Sequence, residues 1–182
     1  YGSFGNEYFQ LMDIDIAEDI TTIGRHFAII VDRAINTMLK NWGDKELEIM
    51  RKFYPNLKSL RKFEEYEPDS KNDVCIYGDT DSRYIDLELV YSLLIDENGN
   101  KMEVPKDDKE LIDFSIFFND NFLKSIIKNT IDEDLTYRNG RKGFLAMSHE
   151  VTTRNCRFIK SKKYIMAAIW DDGIYLDKPK LK

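Results

Sequence analysis

The sequence predicts a domain of the α+β class, built from helices and an antiparallel sheet that occupy separate runs of the chain. Three observations predict this class. Apolar residues recur at three- and four-residue steps over residues 13–42, a polar turn separates two short apolar runs over residues 74–87, and strand-like runs dominate from residue 143 onward. Neither an internal repeat nor a low-complexity segment interrupts this organisation.

The first element is a long amphipathic helix over residues 13–42, with Asp13 or Asp15 as N-cap and Gly43 as the C-terminal stop. Its apolar stripe is expected to lie in the core and to support the sheet without direct chemistry. The stripe consists of Ile16, Ile20, Ile23, Phe27, Ile30, Ala34 and Met38.

The middle of the chain changes from helix to strand. Residues 45–64 predict a second, shorter helical segment interrupted at Pro55, and the polar residues 64–73 predict a linker. A strand from Val74 to Tyr77 and a returning strand from Arg83 to Leu87 then predict a β-hairpin.

The second half predicts another hairpin, one more helix and a group of strands. Asn98–Gly99 tolerates the positive φ values of a tight hairpin turn, and residues 107–130 place their apolar side chains largely on one side of a helix. The remaining predicted strands and their turn are residues 143–151, 156–159, 164–170, the Asp172–Gly173 turn and residues 174–176.

Composition predicts a globular protein outside the membrane. The chain has 182 residues, 42% hydrophobic and 33% charged, and no apolar run approaches the ~20 residues that a bilayer requires. Its start has neither a signal-peptide pattern nor an initiator Met, so we expect a chain that is not secreted and that is a fragment, a processed product or a trimmed form. Cys75 and Cys156 lie in apolar contexts without metal-ligand spacing, which favours reduced core thiols.

The net charge of −6 hides an asymmetry. The window 138–163 holds eight basic residues and one acid, Glu150, so this window carries +7 and the remainder −13. A basic face on an acidic body is a phosphate-binding arrangement, although a charge run is also typical of an ordinary solvated face. The basic residues are Arg138, Arg141, Lys142, Arg154, Arg157, Lys160, Lys162 and Lys163.

Two aspartates, Asp79 and Asp81, stand one residue apart in the turn of the first hairpin. Strand-like geometry directs residues two apart to the same face, and two unpaired carboxylates that close together favour a shared cation. Oxygen-rich acidic sites suit Mg²⁺ above all, and two such ions activate a hydroxyl and stabilise a leaving pyrophosphate. The alternative is an ordinary turn whose aspartates hydrogen-bond their own backbone.

The string Tyr-Gly-Asp-Thr-Asp-Ser at residues 77–82 resembles the polymerisation-site signature, motif C, of family B DNA polymerases. Tyr1–Gly2 and the downstream pattern to residue 25 resemble the end of motif B, particularly in T-even-type bacteriophage enzymes. Residues 160–170 resemble the Lys-Lys-Arg-Tyr segment that holds the primer–template duplex, with Ser161 in place of the leading lysine. Three signatures in family order cover nearly the whole chain.

The resemblance implies a role for each matching residue. Asp81 and Asp79 match the catalytic metal ligands, Asp81 being the indispensable one, and Glu150 resembles a nearby acid that assists with a metal. Tyr1 matches the tyrosine beside the nascent base pair. The residues implied to contact DNA are Tyr1, Gly2, Thr80, Lys162, Lys163 and Tyr164. His26 and His149 are interpreted as satisfied or exposed polar groups rather than catalytic bases.

For the fold, the resemblance implies a palm subdomain spanning residues 1–182 as one partial domain, an antiparallel sheet with a catalytic β-hairpin backed by helices. The exonuclease, most of the fingers, the motif A strand and the thumb are absent from this sequence. Because motif A would supply the second catalytic aspartate, we expect the isolated chain not to extend primers. We also expect exposed apolar surface where those parts would pack.

For activity, the resemblance implies a replicative DNA-directed DNA polymerase that adds dNTPs to a primer 3′-OH through two Mg²⁺ ions, with Mn²⁺ as a substitute. Its partners are primer–template DNA, dNTPs and the remaining polymerase domains or a second polymerase chain, and a sliding clamp is compatible with the complete enzyme. The implied location is the cytoplasm of an infected host cell, associated with the nucleoid. Two alternatives stay open: a non-catalytic DNA-binding half of a split polymerase, and a polymerase-fold regulator with a decayed site.

Overall fold

A computed structural model of the chain describes residue 8 and residues 13–63, 73–78, 82–143, 145–160 and 163–181. Within these ranges, the strands pair antiparallel as β1–β4, β2–β3 and β5–β6–β7, which confirms the predicted α+β class. The helices are α1 (Ile14–Lys40), α2 (Asp44–Met50), α3 (Leu87–Ser92), α4 (Asp108–Phe118) and α5 (Lys124–Tyr137), with a π-helical turn at Asn119–Leu123 between the last two. The strands are β1 (Ser59–Leu60), β2 (Cys75–Gly78), β3 (Arg83–Ile85), β4 (Leu94–Ile95), β5 (Val151–Lys160), β6 (Lys163–Asp171) and β7 (Ile174–Leu181).

Helix α1 begins where the sequence predicts and ends earlier. The Asp13 carboxylate caps it by accepting a hydrogen bond from the Ile16 N–H at 3.1 Å. The prediction that Gly43 stops this helix is wrong, because α1 ends at Lys40 with Asn41 as its C-cap. Gly43 instead precedes α2, and its N–H donates to the Glu46 carboxylate at 2.9 Å.

The buried face of α1 is displaced from the predicted stripe. Ile16, Ile20 and Ile23 are 42%, 40% and 53% exposed, so the prediction that they lie in the core is wrong. Helix α5 packs against α1. The apolar residues of α1 lie on two overlapping stripes, and packing against neighbouring elements determines which stripe is buried. The residues of α1 that are buried are Phe27, Ala28, Val31, Ile35 and Leu39.

The segment after α1 is less helical than predicted. Only Asp44–Met50 is helical, and Ser59–Leu60 forms a strand that pairs with Leu94–Ile95 in an antiparallel register. The continuation of a helix to residue 64 is therefore wrong. Pro55 follows the turns at residues 51–53, and the pairing partner lies some 35 residues away along the chain, which local periodicity does not register.

The predicted turn at Asn98–Gly99 is present at the end of β4. Gly99 has φ +88°, and the Asp96 carboxylate accepts the N–H groups of Asn98 and Asn100 at 2.9 and 2.8 Å. After this turn, Lys101 forms an isolated antiparallel bridge with Ile95. The returning strand of the predicted second hairpin therefore consists of this single bridge.

The predicted helix at 107–130 is longer than expected and forms one wall of the core. Asp107 caps α4 by accepting from the Glu110 N–H at 3.2 Å, and the helical path continues through the π turn to Tyr137. Its aromatic side chains pack against Trp42, whose ring centroid lies 6.3 Å from that of Phe118 and 5.8 Å from that of Phe122. Burial of these large rings contributes to the apolar stabilisation of the fold.

Strands β5, β6 and β7 form a meander that docks on α4. The predicted strand over residues 143–151 is wrong except at Val151, because residues 145–150 have no regular secondary structure and β5 begins at Val151. The predicted Asp172–Gly173 turn is confirmed, with φ values of +46° and +89°. Polar contacts fix the meander to the helix, since the Ser115 and Thr152 hydroxyls lie 2.8 Å apart in the interior.

Candidate functional site

The site is built on the hairpin of β2 and β3, which the sequence predicts correctly. The strands pair antiparallel, with Gly78 opposite Arg83 and Tyr77 opposite Tyr84. The returning strand ends at Ile85, two residues before the predicted end, because Leu87 begins helix α3.

The base of the hairpin is fixed to helix α1 by polar side chains. Arg83 Nε lies 2.8 Å from Asp32 Oδ1, and this ion pair joins β3 to α1. On the other strand, Asp73 Oδ1 accepts from Asn36 Nδ2 at 2.8 Å and from the Cys75 N–H at 2.9 Å. Both strands are therefore attached to the same helix.

Burial shapes the electrostatics at this base. Burial raises the pKa of Asp32, and the Arg83 guanidinium and the Cys75 thiol partly offset that effect. Burial also raises the pKa of the Cys75 thiol, and the neighbouring Asp32 carboxylate raises it further. Cys75 is consequently a neutral hydrogen-bond donor to Asp32 rather than a nucleophile.

The β5–β6 pair, called the ribbon below, packs on the hairpin through an aromatic cluster of Tyr77, Tyr84, Phe158 and Tyr164. Phe158 stacks on Tyr77 with ring centroids 4.3 Å apart, and the Tyr164 ring lies 5.5 Å from Tyr84 and 6.2 Å from Tyr77. Burial raises the pKa of Tyr84, and the Tyr164 hydroxyl raises it further. Each strand of the hairpin contributes one ring to the cluster, as does each strand of the ribbon.

Several residues singled out by the sequence lie outside the described part of the chain. They are Tyr1, Gly2, Asp79, Thr80, Asp81 and Lys162, together with residues 64–72 of the linker predicted at 64–73. The predicted site residues that the structure does describe are Glu150, Lys163 and Tyr164. Of these, Tyr164 contacts the hairpin.

Glu150 is exposed just before β5, and its carbonyl oxygen accepts the Asp172 N–H at 2.7 Å. Over the residues with described positions, no group of three or more His, Cys, Asp or Glu side chains is placed to hold a metal ion. Asp79 and Asp81, for whose carboxylates the sequence predicts a metal ion, are not among the described residues.

The basic window of the sequence is divided in the structure. Arg138 pairs with Asp134 at 2.8 Å, and Arg154 pairs with Asp108 and donates to backbone carbonyls, so both charges are partly neutralised. Three other basic residues are exposed on the ribbon near its turn, with Lys160 opposite Lys163. These residues, the basic end of the ribbon, are Arg157, Lys160 and Lys163.

Both histidines have polar partners, as the sequence analysis interprets them. His26 Nε2 lies 2.9 Å from Asp134 Oδ1 and bridges α1 to α5. His149 stacks on Trp170 at 4.4 Å, and its Nε2 lies 3.0 Å from the Thr152 hydroxyl. Burial lowers the pKa of His149, which keeps the ring neutral near pH 7.

Sequence reasoning missed the residues that attach the hairpin, namely Asp32, Asp73, Arg83 and Phe158. Arg83 directly follows the six-residue motif, and Phe158 stands six residues before Tyr164 in the facing strand. Two-residue alternation would have placed Phe158 and Tyr164 on one face of a hairpin. No sequence pattern joins Asp32 to Arg83, because the two residues are 51 positions apart.

Two comparisons with known proteins bear on this site. The family model described as DNA polymerase family B matches residues 1–129, a range that includes the whole hairpin. A DNA polymerase catalytic subunit from Gallid herpesvirus 2 is 38% identical over 90 residues. That match covers 50% of this chain and 7% of the relative, so the chain spans a small part of the length of that protein.

A helix that spans a membrane must be both long and apolar. Across the described ranges, every helix is too short or too polar to cross a bilayer.

Proposed function

Because the chain belongs to the family B DNA polymerases, we propose that it forms part of the polymerisation site of a DNA-directed DNA polymerase, which adds dNTPs to a primer 3′-OH. One observation carries this proposal. The family match includes residues 77–82, and the residues on either side of positions 79–82 form the paired arms of a hairpin. A strand–turn–strand arrangement is the context in which paired aspartates present carboxylates at one end of a sheet.

Within this proposal, Asp81 is the principal metal-binding residue and Asp79 the secondary one. Both supply carboxylate oxygens, and the motif A aspartate that the family resemblance implies supplies a further donor in the complete enzyme. Glu150, exposed and outside any metal-binding group of the described residues, is the weakest member of the proposed set. Bound Mg²⁺ supplies activation of the primer hydroxyl and stabilisation of the leaving pyrophosphate.

The ribbon has a second role in this proposal, which is to hold the primer–template duplex. Lys162 contacts phosphates together with the basic end of the ribbon, which includes Lys163, and such contacts fix a duplex without reading its sequence. The aromatic cluster supports this role, because Tyr164 ties the ribbon to the hairpin and therefore ties bound DNA to the reacting centre. Tyr1, Gly2 and Thr80 are the proposed contacts near the nascent base pair.

Substitution of Asp81 in the complete polymerase tests the proposal. Asp81→Asn removes a charged metal ligand with little change in shape, so primer extension is expected to fall by at least ~10³-fold while primer–template affinity stays within about threefold. Asp177→Asn, an exposed change on β7, is the matched control and is expected to retain full activity. An extension rate of the Asp81→Asn enzyme equal to that of the control would rule out the assignment.

A further inference from the structure

We propose that Arg83 and Asp32 act as a positioning pair that fixes the β2–β3 hairpin to helix α1 and thereby supports the metal-binding role proposed for Asp79 and Asp81. This inference rests on the proposed function and deepens it, because it assigns a role to two residues that neither the motif nor the comparisons single out. The two residues act through the hairpin and are not themselves metal ligands in this proposal.

The first step is the path of the Arg83 side chain. Its Nε lies 2.8 Å from Asp32 Oδ1, and its Nη1 donates to the Ser82 carbonyl at 2.6 Å. The same guanidinium therefore contacts helix α1 and the backbone at the residue following Asp81. Among the described residues, no other side chain joins α1 to Ser82, the last residue of the motif.

The second step is the fit of Arg83 to Gly78, its partner across the hairpin. A Cβ atom at residue 78 would lie 2.7 Å from Arg83 Cζ and 2.9 Å from Cδ, closer than real side-chain contacts allow. Arg83 therefore occupies the space that glycine leaves open. The residues on either side of positions 79–82 therefore fit each other in shape.

The Arg83–Asp32 ion pair is partly shielded from solvent. The Arg83 side chain is 11% exposed and that of Asp32 is 29% exposed, so the ion pair is shielded from solvent far more than a surface salt bridge. Removing either partner takes away the charge-assisted contact that joins β3 to α1. Asp32 follows Val31, which is fully buried in the core, so the pair ends on a rigid element.

Kinetics of the complete polymerase test the pair. Arg83→Gln and Asp32→Asn are each expected to lower the maximal rate of single-nucleotide addition by ~10- to 100-fold, because small displacements of reacting groups cost that much. They are also expected to raise the Mg²⁺ concentration for half-maximal rate, while primer–template affinity is unchanged. The double variant is expected to be no slower than the slower single variant, and Arg83→Lys is expected to recover part of the rate.

A second readout needs neither metal nor substrate. In the metal-free protein, amide hydrogen exchange of residues 75–85 is expected to be faster in Arg83→Gln and Asp32→Asn than in the unaltered chain, because the hairpin opens more easily. Asp32→Asn is isosteric with the native side chain, so it answers the question even if Arg83→Gln does not fold. Unchanged exchange in both variants would overturn the proposal.

Two control variants separate positioning from general destabilisation. Arg51→Gln removes a guanidinium that donates to the Leu57 and Lys58 carbonyls at 2.8 and 3.1 Å, and Asp134→Asn removes the carboxylate that holds His26 of α1. Both are expected to lower the melting temperature without changing the rate or its Mg²⁺ dependence. The proposal is overturned if Arg83→Gln changes the rate only in proportion to its melting temperature, as these controls would.

The Asp81→Asn enzyme separates a failure of the proposed function from a failure of the positioning pair. If that enzyme still synthesises DNA, the proposed function itself falls. If it is inactive while Arg83→Gln and Asp32→Asn keep the native rate, Mg²⁺ dependence and hydrogen exchange, only the positioning pair falls.

Discussion

Gly78 and Arg83 illustrate how one residue restricts another across a hairpin. A Cβ atom at residue 78 would require the Arg83 side chain to move from its present position, whereas the backbone of Gly78 is of a kind that other residues also adopt. The Arg83 side chain on β3 therefore accounts for the glycine at residue 78 on β2. It also implies that the two positions change together, if either changes.

Substitution of Gly78 by alanine tests the match. The added methyl group displaces Arg83 from Asp32, so Gly78→Ala is expected to lower the free energy of unfolding by about 1–3 kcal/mol, the usual cost of overpacking. Urea unfolding followed by circular dichroism measures it. In an Arg83→Ala background the same change is expected to cost less than ~0.5 kcal/mol, and an equal cost in both backgrounds would contradict the match.

Residues whose role depends on near neighbours were predictable. Asp13 was one of two N-caps that the sequence proposed, and the turns at Asn98–Gly99 and Asp172–Gly173 form as expected, because each depends on interactions within a few residues. The prediction that Gly43 ends α1 is wrong, and the reason is again local. Asn41 already satisfies the last carbonyls of α1, so glycine is not required there.

Among the elements, the hairpin and the ribbon depend on each other for burial. Two strands alone are at best marginally stable in water, and β2 and β3 gain an apolar surface from Phe158 and Tyr164 of the ribbon. The Arg83–Asp32 ion pair attaches the hairpin to α1 as well. Tertiary contacts with both the ribbon and α1 therefore hold the hairpin in place.

Phe158→Ala tests the contact between these elements. Loss of a half-buried ring that stacks at 4.3 Å on Tyr77 is expected to cost about 2 kcal/mol in the free energy of unfolding and to speed hydrogen exchange in residues 75–85. Ile159→Ala is the control, because its side chain is 61% exposed and adjacent strand residues face opposite sides. The control is expected to stay within ~0.5 kcal/mol.

If Ile159→Ala and Phe158→Ala destabilise the chain equally, the aromatic cluster does not carry the contact. Protection of the hairpin amides that is unaffected by Phe158→Ala would lead to the same conclusion.

At the scale of the whole molecule, the described surface carries an apolar row on the first turns of α1. Ile16, Ile20 and Ile23 are 42%, 40% and 53% exposed, although the charged residues of the chain make it polar on average. Isolated exposed apolar residues are ordinary, but several on successive turns of one helix form a continuous patch. Such a patch favours association between copies when nothing else covers it.

Replacing Ile16, Ile20 and Ile23 with Gln tests this expectation. The unaltered chain is expected to associate increasingly with concentration in sedimentation equilibrium, and the triple variant is expected to remain monomeric at the same concentrations. Its free energy of unfolding is expected to change by less than ~1 kcal/mol, because the side chains are exposed and Gln is a good helix former. Thr22→Gln, on an exposed position of the same helix, is the control. Monomeric behaviour of the unaltered chain throughout would refute the expectation.

The sequence alone determined the α+β class, the main helices, the hairpin that carries residues 77–82 and the family resemblance, since periodicity, caps and turns act over a few residues. Only the tertiary structure decided which stripe of α1 is buried, that Ser59–Leu60 is a strand paired with Leu94–Ile95, and that Arg83 reaches Asp32. Those features join residues tens of positions apart. Their energies depend on which surfaces meet in the folded chain, and local sequence patterns do not contain that information.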